Sequence, residues 1–124
     1  MELPVTKMSR IVMPASTNDA GNLYGGRLLD WMDEVSGIAA KRFAHSEVMT
    51  VGIESIHFMR PMPQGSFIDI NAEVVHVGNT SMKIKITVMM DQDPEEEQVQ
   101  TAEAFFTFVA VDENGKPHKV GRTL

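Results

Sequence analysis

Residues 26–44 read GRLLDWMDEVSGIAAKRFA, and this stretch decides the fold. Advancing 100° per residue, Leu28, Met32, Val35, Ala39 and Phe43 fall on one narrow stripe, while Arg27, Asp30, Glu34 and Lys41 fall on the opposite side. The pattern predicts one amphipathic helix from about Gly26 to Ala44, about five turns and roughly 25 Å long. No other segment has convincing helical periodicity.

Strand patterns follow the helix. Ile68, Ile70, Ala72 and Val74 alternate with Asp69, Asn71 and Glu73, and Met82, Ile84, Ile86, Val88 and Met90 alternate with Lys83, Lys85 and Thr87. Each predicts a strand with one buried face. Between them Gly78-Asn79 is expected to supply the positive-φ residues of a tight hairpin, making the two strands antiparallel neighbours. A third run covers about Gln98 to Val111, and the acidic segment Asp91–Glu97 before it reads as a solvated loop closing another hairpin. A fourth strand is expected from about Met49 to Phe58 and a fifth near Lys7 to Met13. The predicted order is β-α-β-β-β-β. Strands of about nine or ten residues would run roughly 30 Å, so one long antiparallel sheet can lie along a single helix.

The chain has 124 residues, enough for one domain, with 43% apolar and 23% charged residues. Its apolar runs are too short for a membrane helix, and the N-terminal stretch does not read as a signal peptide. The absence of cysteine excludes disulfides, thiolate metal sites and a cysteine nucleophile, and points to a reducing cytoplasm. A net charge of −6 argues against sequence-independent nucleic-acid binding. It leaves room for a small polyanionic ligand. Lys116, His118, Lys119 and Arg122 cluster in the last residues, either as solvated surface or as a local phosphate holder. A domain core of about residues 5–112 is expected, with 113–124 as a weakly ordered tail unless a partner or ligand holds it.

The chemistry-bearing segment runs from Pro14 to Glu34. A polar, glycine-rich loop enters the helix N-terminus, where free backbone N–H groups and the positive end of the dipole suit an anion or oxyanion. By themselves, Gly25 and Gly26 need be no more than a turn. Asp33 projects about 100° from the centre of the apolar stripe, beside the small residues Ser36, Gly37 and Ala40. Partial burial of a carboxylate requires a compensating partner, so Asp33 is either a hydrogen-bonded packing residue or a functional acid beside a cavity. Asp30 and Glu34 read as solvated. Asn18 either shapes its turn through an Asx hydrogen bond or presents its amide to a ligand.

With Asn18, Gly21-Asn22, Gly25-Gly26 and Met32-Asp33-Glu34 in place, this segment resembles the acyl-CoA thioesterases of the hotdog superfamily. The likeness is to bacterial short- and medium-chain acyl-CoA hydrolases and the cytosolic brain-type acyl-CoA hydrolase. It continues through Ser55-Ile56-His57-Phe58-Met59-Arg60-Pro61-Met62-Pro63-Gln64-Gly65 and Gly78-Asn79-Thr80-Ser81-Met82, most of residues 8 to 111. The resemblance implies an α+β hotdog fold, one long helix wrapped by a five- to six-stranded antiparallel sheet. It implies acyl-CoA hydrolysis, with Asn18 and Asp33 as a catalytic pair supplied by opposite subunits. Gly25 or Gly26 matches the amide that binds the thioester oxygen. Arg60, Gly78, Thr80 and Ser81 match contacts to the CoA nucleotide. It further implies dimers joined edge to edge, often as trimers of dimers, with identical chains supplying both halves here. No cofactor beyond the CoA of the substrate is expected.

His45, His57, His76 and His118 lack metal-ligand spacing and are expected to be structural or surface residues, with His57 the nearest to the substrate by the resemblance. No Gly-x-Ser-x-Gly elbow indicates a serine triad. Met32, Met82 and Met90 fit core positions, although methionines could also line an acyl channel. Two rival functions share the architecture. A hotdog hydratase or dehydratase would use a histidine with an acid, and its His-Phe-Pro-Gly loop is missing. A non-enzymatic acyl-CoA sensor would carry an added DNA-binding helix pair.

Overall fold

The computed structural model describes residues 5–92 and 97–124. Strand β1 (Val5–Ile11) leads through a short 3₁₀ turn (Pro14–Ser16) to helix α1 (Gly25–Ala44), the one α-helix among the described residues, and then to β2 (Glu47–Phe58), β3 (Phe67–Val77), β4 (Ser81–Met90) and β5 (Val99–Val111). Each predicted element is present in the predicted order. The five strands form one antiparallel sheet in the order β1-β3-β4-β5-β2, so β1 and β2 are its edges. A single 20-residue helix, about 30 Å long, lies along this sheet in the hotdog arrangement.

The helix forms where expected because its whole apolar stripe finds the concave face of the sheet. Leu28, Met32, Val35, Ala39 and Phe43 are buried against Ile68, Ile70, Val74, Met82, Ile84, Ile86, Val88, Phe106 and Phe108. Met32, Met62 and Met82 are core residues and Met90 packs at the margin of the core; Met62 also helps line a surface groove described below. The helix ends at His45, whose left-handed conformation (φ 54°) lets its N–H donate to the Lys41 carbonyl. No helix among the described residues is long and apolar enough to cross a membrane.

Two expectations are corrected. Gly78 and Asn79 do not adopt positive φ. The β3–β4 connection is instead closed by the Gly78 N–H donating to the Ser81 carbonyl at 2.8 Å, and a register shift between Val74 and His76 adjusts the strand pairing just before it. Glycine serves there through its size, since a Cβ on Gly78 would lie 2.8 Å from Ser81 Oγ. The second correction concerns residues 113–124, which do not trail away. Val111 bridges to Pro117, the His118 N–H donates to the Ala110 carbonyl, the Val120 N–H donates to the Asn79 carbonyl, and the Val120 side chain is buried. Burial of the Val120 side chain and these backbone hydrogen bonds together seat the segment beside the β3–β4 turn. The hairpin expected across Asp91–Glu97 exists as the β4–β5 pair, while residues 93–96 of that loop lie outside the described residues.

Candidate functional site

The loop between β1 and α1 is shaped by Asn18. Its side-chain Oδ1 accepts the N–H groups of Ala20 and Asn22, both at 3.1 Å, while its own N–H donates to the Asn22 carbonyl at 2.8 Å. The Asx reading is therefore realised. It does not exhaust the residue, because with Oδ1 committed to the turn the Nδ2 amide is the group left to meet a ligand, and Nδ2 can only donate. The same loop is pinned by Leu23 N–H to the Met62 carbonyl at 2.8 Å and by Gln64 N–H to the Gly21 carbonyl at 2.9 Å.

Helix α1 begins at Gly25 with no side-chain cap. The Tyr24 carbonyl accepts from Arg27 and Leu28, and no acceptor among the described residues meets the amides of Gly25 and Gly26. These two exposed N–H groups stand at the positive end of a 20-residue dipole. Gly25 opens onto a groove of about 330 Å³, whose walls include Asn18, Leu23, Leu28, Phe58, Arg60 and Met62. A Cβ at Gly25 would come 3.5 Å from the Phe58 ring, whereas one at Gly26 would meet the side chain of Tyr24 instead. Gly25 thus faces the groove with Asn18 and Arg60.

The run that carries Phe58, Met59 and Arg60 is held by β5. The Thr101 carbonyl accepts both the Met59 and Arg60 N–H groups, and the fully buried Thr101 hydroxyl donates to Met62 Sδ at 3.2 Å. Just upstream, Ser55 has a left-handed backbone (φ 54°) at the bulge between the Glu54 and His57 pairings of β2. This kink re-aims the end of an edge strand toward the groove.

Asp33 lies elsewhere. It is eight helical positions beyond Gly25, about 12 Å along the axis. Its carboxylate is exposed in the single chain, and Oδ1 accepts a hydrogen bond from Thr50 Oγ1 on β2 at 2.8 Å. The cavity expected beside Asp33 is not enclosed by one chain, because β2 has no strand on its outer side. Thr50 was not singled out in the sequence. Its only signal was a hydroxyl within the apolar stretch Val48–Ile53 of β2, which many strands contain.

The remaining candidates separate into two places. Arg60 belongs to the Gly25 groove, while Gly78 lines a second groove at the far end of the helix, beside the Thr80 and Ser81 of the β3–β4 turn. His57, His76 and His118 are exposed and His45 caps the helix. Among the described residues no three His, Cys, Asp or Glu side chains are grouped to hold a metal ion.

Comparison with known proteins agrees with this geometry. The sequence profile of the thioesterase superfamily matches residues 20–97. The acyl-CoA thioester hydrolase YciA of Escherichia coli is 39% identical over 110 residues, covering 86% of this chain and 83% of that protein. An acyl-CoA hydrolase from Staphylococcus aureus, solved with butyryl coenzyme A, coenzyme A and coenzyme A disulfide, superposes with a TM-score of 0.90 at 30% identity, over 93% of this chain and 70% of that one. Variants of the S. aureus protein with one Asn, one Asp or one Thr replaced by Ala have also been solved. A hexameric, broad-specificity acyl-coenzyme A thioesterase, in the form of an Asp-to-Ala mutant, superposes with a TM-score of 0.89 at 33% identity, over 98% of this chain and 88% of that one. With its helix-start groove, its single long helix and the superfamily profile spanning both, this chain belongs to the thioesterase superfamily.

Proposed function

We propose that the protein hydrolyses acyl-CoA thioesters to a free acid and CoA at a site shared by two copies of the chain. The observation that carries this reading is the division of labour within one chain. Asn18 Nδ2 and the unpartnered Gly25 amide meet in one groove, while the only acid on the inner margin of the helix, Asp33, stands two turns away against the edge strand. The edge is also the wrong surface to leave in water. Met49, Val51, Ile53 and Phe58 along β2 are 44–54% exposed, on a strand whose outer backbone groups have no neighbour. A second copy joined along β2 covers these side chains and brings the Asp33 of one chain toward the groove of the other.

In that site the thioester oxygen takes hydrogen bonds from the Gly25 amide and Asn18 Nδ2, two donors matched to the negative charge that develops on addition to the carbonyl. Asp33, oriented by the Thr50 hydroxyl, either deprotonates a water or attacks the carbonyl itself; on either route the thiolate of CoA leaves and water supplies the second oxygen of the acid. The three residues replaced in the S. aureus variants are spaced at the same sequence intervals as Asn18, Asp33 and Thr50, which supports these roles. The hexamer of the relative supports an assembly of three such dimers. The cysteine-free chain suits a reducing cytoplasm. Thiol release from a panel of acyl-CoA thioesters tests the activity. Asp33→Asn at saturating substrate should lose at least a hundred-fold in turnover, and turnover within a few-fold of wild type would remove Asp33 from the chemistry.

A further inference from the structure

Strand β5 is irregular where it passes beneath the Gly25 groove. Val88 of β4 pairs with Ala102 and Met89 with Gln100, so Thr101 between them is left out of that ladder. The in-and-out alternation that runs regularly from Ala102 to Ala110 breaks at the same place, and Thr101 and Ala102 are both fully buried. A bulge of this kind turns one residue out of the ladder and re-aims it. Here the Thr101 carbonyl accepts the N–H groups of Met59 at 2.8 Å and Arg60 at 3.3 Å, while the hydroxyl is sealed inside.

Burying a hydroxyl is unfavourable unless it is bonded, and valine would have the same shape without that requirement. Thr101 Oγ1 lies 3.2 Å from Met62 Sδ and 3.4 Å from the Val88 carbonyl oxygen. The bond to sulfur fixes a side chain with three rotatable bonds. The Met62 carbonyl is fixed as well, since it accepts the Leu23 N–H at 2.8 Å. Met62 is thereby held at both ends.

The groove itself divides into a rim and a floor. Asn18, Gly25, Phe58 and Arg60 at the rim are exposed, whereas Leu23, Leu28 and Met62 beneath them are buried and apolar. With the thioester oxygen on the donors of the rim, this floor suits the acyl chain, because the amides and phosphates of the CoA arm would lie against it unpaired. Among the three floor residues Met62 alone is unbranched, so its position depends most on what holds it.

We infer that Thr101 is a positioning residue for the acyl chain: by holding Met62 at the floor of the Gly25 groove, it limits how long a chain the site accepts. This rests on the acyl-CoA reading given above.

The test measures kcat/KM by thiol release for butyryl-CoA and octanoyl-CoA in wild type, Thr101→Val, Thr101→Ser and Met62→Leu. Even one methylene in an apolar pocket changes selectivity by about ten-fold or more, so Thr101→Val, which frees Met62, should raise the octanoyl-to-butyryl ratio about ten-fold. Thr101→Ser keeps the donor and should stay within a few-fold of the wild-type ratio. Met62→Leu breaks the same bond from the other side and should raise the ratio too, with the double variant Thr101→Val/Met62→Leu going no further than the larger single shift. A residue that only supports the fold would lower both substrates in parallel. An unchanged ratio in Thr101→Val, an equal shift in Thr101→Ser, or additive shifts in the double variant would each overturn the inference. If Thr101→Val shows no cooperative melting transition, Met62→Leu decides: a raised ratio supports the held floor and the wild-type ratio overturns it. Wild type that releases thiol from neither substrate brings down the hydrolase reading, and this inference with it, whereas an active wild type with an unchanged ratio in the variants brings down the inference alone.

Discussion

The Thr50 hydroxyl donates to Asp33 Oδ1 at 2.8 Å, tying the middle of helix α1 to the edge strand β2 across 17 positions of sequence. The bond engages Oδ1 alone, so in the proposed mechanism Asp33 Oδ2 is the oxygen left for the reaction. A hydrogen bond to a charged group contributes about 1.5–3 kcal/mol, and each 1.36 kcal/mol is tenfold in rate. Thr50→Ala should therefore lower kcat by about ten- to a hundred-fold with a smaller change in KM. Thr50→Ser should recover most of the loss. Steady-state kinetics on the three proteins checks this, and equal kcat values would leave the bond without a role in turnover.

Gly25 allows the proposed oxyanion donor to be removed without removing the helix. Proline is tolerated at the first helical position, where the N–H has no helical partner, and Tyr24 already has the extended backbone (φ −83°, ψ 150°) that a following proline requires. Gly25→Pro should keep the circular dichroism of wild type and lose about 10²–10³ in kcat. A folded Gly25→Pro enzyme with full turnover would transfer the role to the Gly26 amide.

The proposed sharing of one site by two chains makes a prediction about mixtures. Asn18→Ala and Asp33→Ala should each be inactive alone. In a dimer containing one of each, one of the two sites carries both wild-type residues, so statistical reassembly should restore about a quarter of wild-type turnover. Refolding the two variants together and measuring thiol release checks this. No recovery in a mixture shown to contain heterodimers would place both residues in one site of one chain.

Asp69 predicts a pH dependence of stability. Its carboxylate accepts from Ser9 Oγ at 2.6 Å and from Gln98 Nε2 at 2.9 Å, and these bonds, assisted by nearby Lys7, hold its pKa below the ordinary value of 3.8. A carboxyl whose folded pKa is depressed adds stability above its unfolded pKa and loses it as the pH falls through the folded value. Ser9→Ala raises the folded pKa toward 3.8, so it should lower Tm at pH 7 and differ less from wild type as the pH falls below 3.8. Melting curves at several pH values test the sign, and a Tm difference that grows in acid would contradict it.

The sequence by itself determined the order of elements and which face of each is buried, because those depend on periodicity. Leu28, Met32, Val35, Ala39 and Phe43 could share a surface only on a helix, and the alternation through Ile68–Val74 and Met82–Met90 could serve only strands with one dry face. The segment around Asn18, Gly25 and Asp33 stood out as a candidate for a related reason, since a glycine-rich loop entering a helix with an acid two turns on is a local pattern, while the roles proposed for its residues came from the resemblance. Tertiary structure decided what depends on long-range contact. It paired Asp33 with Thr50, committed Asn18 Oδ1 to its own turn, seated Val120 beside Asn79 and drew Lys119 and Arg122 alongside Gly78. It also left β2 at the edge of the sheet, so that Asn18 and Asp33 sit apart in one chain. Strand order is set by which faces and edges pack best across the whole sheet, and no local window of sequence contains that information.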